Sequence, residues 1–214
     1  VGEILKFPTT TEEVQALLKR IGVDGVRYEE FFITSFDGDM LGLYDYLTEY
    51  ENLDELNHLA CLLSELEQSD LEKFEAVIDS GEHTSSVADL INLTQNLDCY
   101  DLFPVIESEE DLGRYCMEDL DIPDALRDYF NYEAYGRDVL IEGGGHLAPG
   151  GYIVQTSGDF KEFYHGIEDI PAEHKVFAFP QLSVREQMAA YKEIIDGSSL
   201  EGYRKIAAKE HEER

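Results

Sequence analysis

The sequence predicts an α+β fold laid out as small modules, on three observations. An amphipathic helix precedes an aromatic and β-branched run near the start, apolar residues recur at helical spacing from Leu53 to Phe130, and the period changes to two after Tyr135. The expected boundaries are an N-terminal α+β module at 1–48, a central acidic helical module at 49–98, a helix-plus-antiparallel-β module at 99–155 and a C-terminal extension at 156–214. With 43% apolar residues, 13 Tyr and 11 Phe in 214 positions, the chain can bury real cores, so its acidity is not that of a disordered tail.

In the first module, Thr10 or Thr11 caps a helix with Glu12 and Glu13 in its first turn. Val14, Leu17, Leu18 and Ile21 form its apolar stripe and Gly22 its stop. "RYEEFFITSFDGD" then predicts a strand ending near Ser35 with a turn at Asp37-Gly38. In the central module, Leu56, Leu59, Ala60, Leu63 and Leu66 form one stripe, with Asp54, Glu55, Glu65 and Glu67 away from it. Ser69 and Glu72 suggest a capping box for a second helix with Leu71, Phe74, Val77 and Ile78 inward, and a third helix starts at Ser86 with Val87, Leu90 and Ile91 inward.

The third module opens on "ESEEDLGRYCMEDLDIPDALRDYF", residues 107–130, where nine carboxylates face two arginines. Ser108 and Asp111 form a cap, Leu112, Tyr115, Cys116 and Leu120 face inward, and Ile122-Pro123 restarts a helix with Leu126, Tyr129 and Phe130 inward. At about 100° per residue, Asp121, Asp124 and Asp128 lie within about 60° of one another, opposite that apolar face. "RDVLIE", a Gly-rich loop and "YIVQTS" read as a β-hairpin with a long loop, or as two neighbouring strands. In the extension, "VFAFPQ" is a candidate strand, "SVREQMAAYKEIID" a capped helix and "YRKIAAKEHEER" a fraying tail.

Net charge is −31, and it is not spread evenly. Residues 1–27 net 0, residues 28–133 net −26 with only Lys73, Arg114 and Arg127 as cations, and residues 134–214 net −5. General surface acidity would not spare both ends, so a local requirement is the better explanation. Glu72, Glu75 and Asp79, at i, i+3 and i+7, form a line along one exposed helix face, and like charges so spaced cost a few tenths of a kcal/mol per pair. The charge argues against binding nucleic acid or an anionic membrane and predicts a basic macromolecular partner. Spaced like duplex phosphates, at roughly 1.7 Å per charge, it would span about 50 Å.

The chemistry of an enzyme is missing from the pattern. Gly143 to Gly145 lacks the Lys-Ser/Thr of a phosphate loop, Asp37-Gly38-Asp39 is too short for an EF-hand, and His58 reads as a surface or boundary residue. Cys61, Cys99 and Cys116 have neither zinc spacing nor an even count, which fits reduced thiols. We therefore expect no cofactor and no metal. "VGEILKFPTT" is no signal peptide and no apolar run approaches a membrane span, so the expected compartment is the cytoplasm.

"EYENLDELNHLACLLSELEQSDLEKFEAVI" (49–78), "EDLGRYCMEDL" (110–120) and above all "LRDYFNYEAYGRDVLIEGG" (126–144) resemble ArdA-type antirestriction proteins over roughly residues 25–155. The resemblance implies an elongated, acidic, non-enzymatic DNA mimic carried on mobile elements, one that occupies the DNA-binding groove of type I restriction-modification enzymes and dimerises end to end through its C-terminal module. The family's acidic helical stretch maps onto Glu65, Glu67, Asp70, Glu72, Glu75 and Asp79. Glu109, Glu110, Asp111, Glu118, Asp119, Asp121, Asp124 and Asp128 would extend that surface. Tyr129, Phe130, Tyr132 and Tyr135 fall in the module that makes the dimer. The rival from another class is an acidic adaptor for a basic nucleoid or ribosomal protein; a metal-dependent hydrolase would need a tight divalent site.

Overall fold

The computed structural model describes residues 2–196 apart from 39, 41, 119–122, 124–126, 128 and 157. Helix α1, Thr11–Ile21, begins where Thr10 accepts a hydrogen bond from Glu13 N and ends at Gly22, whose φ of 88° is the left-handed cap that glycine adopts without cost. Its buried side is Val14, Leu17 and Leu18.

The strand expected over residues 28–35 does not form. The segment joins no ladder; Ile33 N donates to Glu49 O at 2.8 Å, and Phe31 and Phe36 pack on the core. Aromatic and β-branched composition made it look like a strand, but a strand needs a neighbour whose main chain it can meet.

Three helices carry the main core. Helix α2, Leu53–Glu65, is capped by Asn52, and α4, Val87–Thr94, by Ser86, each through a side-chain oxygen accepting backbone N–H. Helix α3, Gln68–Asp79, starts one residue before the expected Ser69 box, with Glu67 at the cap position and no side-chain cap bond. Here burial of Phe74, Ala76, Val77 and Ile78 holds the helix in place of a capping box.

The sheet has three antiparallel strands in the order β1-β3-β2: β1 is Tyr100–Phe103, β2 His146–Ala148 and β3 Gly151–Gln155. The hairpin therefore exists, but its first strand lies inside the expected Gly-rich loop. "RDVLIE" is helical instead, within Tyr132–Gly143, called α6 here, which packs on α5, Glu109–Glu118. Asn131 caps α6 by accepting from Ala134 N at 3.1 Å, and Val139 and Leu140 join a small second core of Ile106, Leu112 and Tyr152. β-branched residues suggested period two; tertiary packing chose 3.6.

On α5, Leu112 is buried and Cys116 half-buried as expected, whereas Tyr115 is 47% exposed and Met117 is buried in its place. Tyr129, expected inward, is 87% exposed, and Phe130 is exposed too. The expected helix restart at Ile122-Pro123, with Leu126, and the inward position of Leu120 lie outside the described residues.

The segment after β3, expected as a C-terminal extension, is built into the main core. Tyr164, Ile170 and Val176 are buried in the same core cluster as α2, α3 and α4. "VFAFPQ" is not a strand but an extended run held on α2, and residues 184–196 form the expected helix, α7, capped by reciprocal Ser183 and Glu186 bonds. The expected tail lies outside the described residues.

Candidate functional site

Helix α3 is anchored on one face and charged on the other. Phe74, Val77 and Ile78 are fully buried, which fixes the helix about its own axis, while Glu72 and Asp79 are exposed and Glu75 half-exposed. At 1.5 Å rise per residue the three carboxylates run about 10 Å along the helix. Glu65 and Glu67, exposed at the α2–α3 junction, and half-exposed Asp70 extend the row. Among the described residues no Lys or Arg is ion-paired with Glu65, Glu67, Asp70, Glu72 or Asp79; Glu72 accepts from the Gln68 amide at 3.1 Å and Asp79 contacts His146 Nε2 at 2.8 Å. His146, on the β2 edge, is a member of this surface that the sequence did not signal.

The α5 carboxylates are arranged differently. Arg137 Nε and Nη2 both donate to Glu109 Oε2, at 3.0 and 2.9 Å, and Nη2 also reaches Glu133 Oε1 at 3.1 Å. Arg114 donates to Glu110 Oε1 and lies 4.4 Å over the Tyr132 ring. Asp111 accepts from Ser108 Oγ at 2.6 Å. Glu118 is exposed; Asp119, Asp121, Asp124 and Asp128 lie outside the described residues.

Two glycines explain why these pairs meet. A Cβ on Gly136 would sit 1.7 Å from Glu109 O, and one on Gly113 would sit 1.9 Å from Tyr132 O. The α5 and α6 backbones therefore touch at a crossing where no side chain fits, which brings Arg137 to Glu109 and Tyr132 under Arg114. "YEAYGRD" is thus helix-crossing chemistry. Tyr132 and Tyr135 are half-buried and meet Phe130 edge-on, at 5.3 and 5.7 Å between ring centroids.

The family model described as antirestriction protein (ArdA) matches residues 1–154. The chain belongs to the ArdA antirestriction family. Its function is accordingly antirestriction, its partners are restriction-modification enzymes, and ArdA is not a family of enzymes. No curated protein matches the chain. The matched ArdA segment contains both charged regions and both crossing glycines, and it stops just short of the end of β3.

The remaining titratable groups serve the fold. His58, expected near the surface, is 6% exposed and its Nδ1 lies 2.8 Å from Nδ1 of His174. Burial, followed by the neighbouring His174, pushes the His58 imidazole below its ordinary pKa. Burial also raises the thiols of Cys61, Cys99 and Cys116, which are free. Burial and the Glu82 carboxylate push Tyr100 up to about 12. Asp24 loses solvation on burial, but the Arg27 guanidinium and the N–H groups of Arg27, Val26 and Tyr28 outweigh this and hold it well below the usual carboxylate range. Among the described residues no His, Cys, Asp and Glu group suits a metal ion, and no helix is long and apolar enough to cross a membrane.

Proposed function

We propose that the chain blocks restriction as a DNA mimic, competing without turnover for the DNA-binding groove of a type I restriction-modification enzyme. One observation carries this reading: a row of carboxylates from Glu65 to Asp79 stands along and beside a helix whose opposite face is locked into the core. Stability alone does not favour such a row, because like charges at helical spacing repel. A groove built for phosphates does favour it, since release of the counterions held by both surfaces drives association as it drives DNA binding.

The same reading arranges the modules 1–48, 49–98 and 99–155 in a row and pairs two copies through the last of them. Exposed Tyr129 and Phe130 support that pairing, because large aromatics left in water beside a packed helix pair suit a contact surface. The working molecule is then a cytoplasmic homodimer.

The test is displacement of labelled duplex DNA from a purified type I modification enzyme over a series of salt concentrations, with a basic non-specific DNA binder as control. Stoichiometric displacement from the modification enzyme at concentrations that leave the control bound is the expected result. Equal displacement from both, or from neither, replaces the mimic with a generic acidic adaptor.

A further inference from the structure

Residues 160–177 cross the α2–α4 face as an irregular segment that turns through two short 3-10 helices, Ile167–Asp169 and Ala172–His174, and pairs with no strand, and side chains below supply the polar contacts that hold it. Asn92 Oδ1 accepts from Phe163 N and Tyr164 N, both at 2.8 Å, and its Nδ2 donates to Tyr164 O at 2.9 Å. Asn96 takes Lys161 N and O in the same way, each at 2.9 Å. Asn57 Nδ2 donates to His174 O at 3.0 Å, and Asp54 Oδ1 accepts from Val176 N and Phe177 N at 2.6 and 2.7 Å. Three carboxamides and one carboxylate thus hold main chain, not side chain.

Side-chain recognition is confined to a few points. Tyr164 is buried with its hydroxyl donating to Glu55 Oε1 at 2.8 Å and its ring 6.0 Å from that of His58. Phe160 stacks on His83 at 3.6 Å, and Ile170 and Val176 enter the core. Main-chain bonds that supply affinity and spaced pockets that supply selectivity are an arrangement by which proteins hold peptide segments. The holding side chains lie within the matched segment 1–154, the held segment lies wholly beyond it, and the link at 156, 158 and 159 is exposed.

We propose that the α2–α4 face, through Asp54, Glu55, Asn57, His58, Asn92 and Asn96, is a binding groove for a peptide segment held by its main chain, occupied in cis by residues 160–177 as a separable ligand. Its ligand class is a segment with one buried tyrosine whose hydroxyl meets Glu55, followed by branched aliphatic anchors at the positions of Ile170 and Val176. Covalent continuity through residues 156–159 is then not required for the complex.

The test uses the full chain with a specific protease site inserted after Gly158, folded first and nicked afterwards. The two pieces are expected to co-elute with an unchanged circular dichroism spectrum, and a labelled peptide spanning residues 159–181 should exchange into the nicked protein saturably. Asn92→Ala should accelerate that exchange at least about tenfold, from three lost hydrogen bonds. Asn92→Asp, which keeps both acceptor bonds and loses the donor, should fall between; Lys161→Ala, whose main-chain bonds remain, should change nothing. Unfolding on nicking would overturn the proposal by making residues 160–177 an inseparable part of the core. So would release without rebinding, or exchange indifferent to Asn92.

Discussion

Helices α3 and α5 are similarly acidic in sequence, and the fold uses them in opposite ways. On α5, Glu110 is paired with Arg114 of the same helix and Asp111 with the capping Ser108, while Arg137 of α6 reaches across to Glu109, so the charge there goes into holding the helices. On α3 the partners of Glu72 and Asp79 are a neutral amide and a histidine. Counting carboxylates therefore locates acidic regions without distinguishing scaffold from display. The distinction depends on where the few cations fall, and Arg137 reaches Glu109 from 28 positions away in the chain.

The largest effect belongs to the crossing that creates the α5 pairs. Gly136→Ala places a methyl 1.7 Å from the Glu109 carbonyl, a backbone atom that cannot swing aside. Forced overpacking costs about 1–3 kcal/mol where side chains can yield, and the upper end or more is expected here. Chemical denaturation should show that loss, together with lost burial of Leu112 and Tyr152. A mild cost would mean the helices can separate, and the α5 carboxylates would then be free to serve as display.

Next is the α3 row. Glu72→Gln, Glu75→Gln and Asp79→Asn together should weaken inhibition of the restriction-modification enzyme by at least about tenfold while leaving stability equal or a few tenths of a kcal/mol higher, as repulsion is relieved. The control neutralises exposed Glu29, Glu168 and Glu173, which lie elsewhere, and should cost far less. Equal losses in the two triple variants, read from dose–inhibition curves, would show that total charge matters and position does not.

What the sequence revealed follows the range of the interaction. Local signals held: the Thr10 and Ser86 caps, the Gly22 stop and the Ser108–Asp111 pair are all where residue chemistry puts them. Signals that needed a partner did not hold. Residues 28–35 had strand composition without a neighbour, and "RDVLIE" had strand composition with a helical one. The groove was legible only in hindsight, through asparagines on apolar helix faces: Asn57 beside Leu56 and Leu59, and Asn92 beside Ile91, are helix-unfavourable residues in buried positions. Such a residue fits where it has a bond to make, and here each asparagine bonds a segment more than 40 positions away.

A smaller effect is expected on acidification. His58 is held neutral in the folded chain, so its contribution is complete above about 6.5, the ordinary histidine value, and is lost as pH falls through its lowered folded value. The groups around it are His174 across the contact, Tyr164 beside it and Glu65 on its own helix, of which only Glu65 favours the charged form. Denaturation midpoints taken from pH 8 to pH 5 should fall below 6.5, and His58→Gln should flatten that decline. A profile unchanged by His58→Gln would place the loss elsewhere.

The smallest effect separates the two acidic helices most cleanly. Arg137→Lys keeps the charge but loses the fork that lets Nε and Nη2 meet Glu109 while Nη2 holds Glu133, because a lysine ammonium is a point donor. Arg137 is half exposed, so solvent and salt screen the pair and only a slight, salt-sensitive drop in Tm is expected. Inhibition should not change if Glu109 serves the α5–α6 crossing alone. If inhibition instead rises, Glu109 and Glu133 become display once released, and the arginine has been masking part of the acidic surface. If it falls while Tm holds, the pair itself touches the restriction-modification enzyme, and the division between a scaffolding α5 and a displaying α3 has to be abandoned.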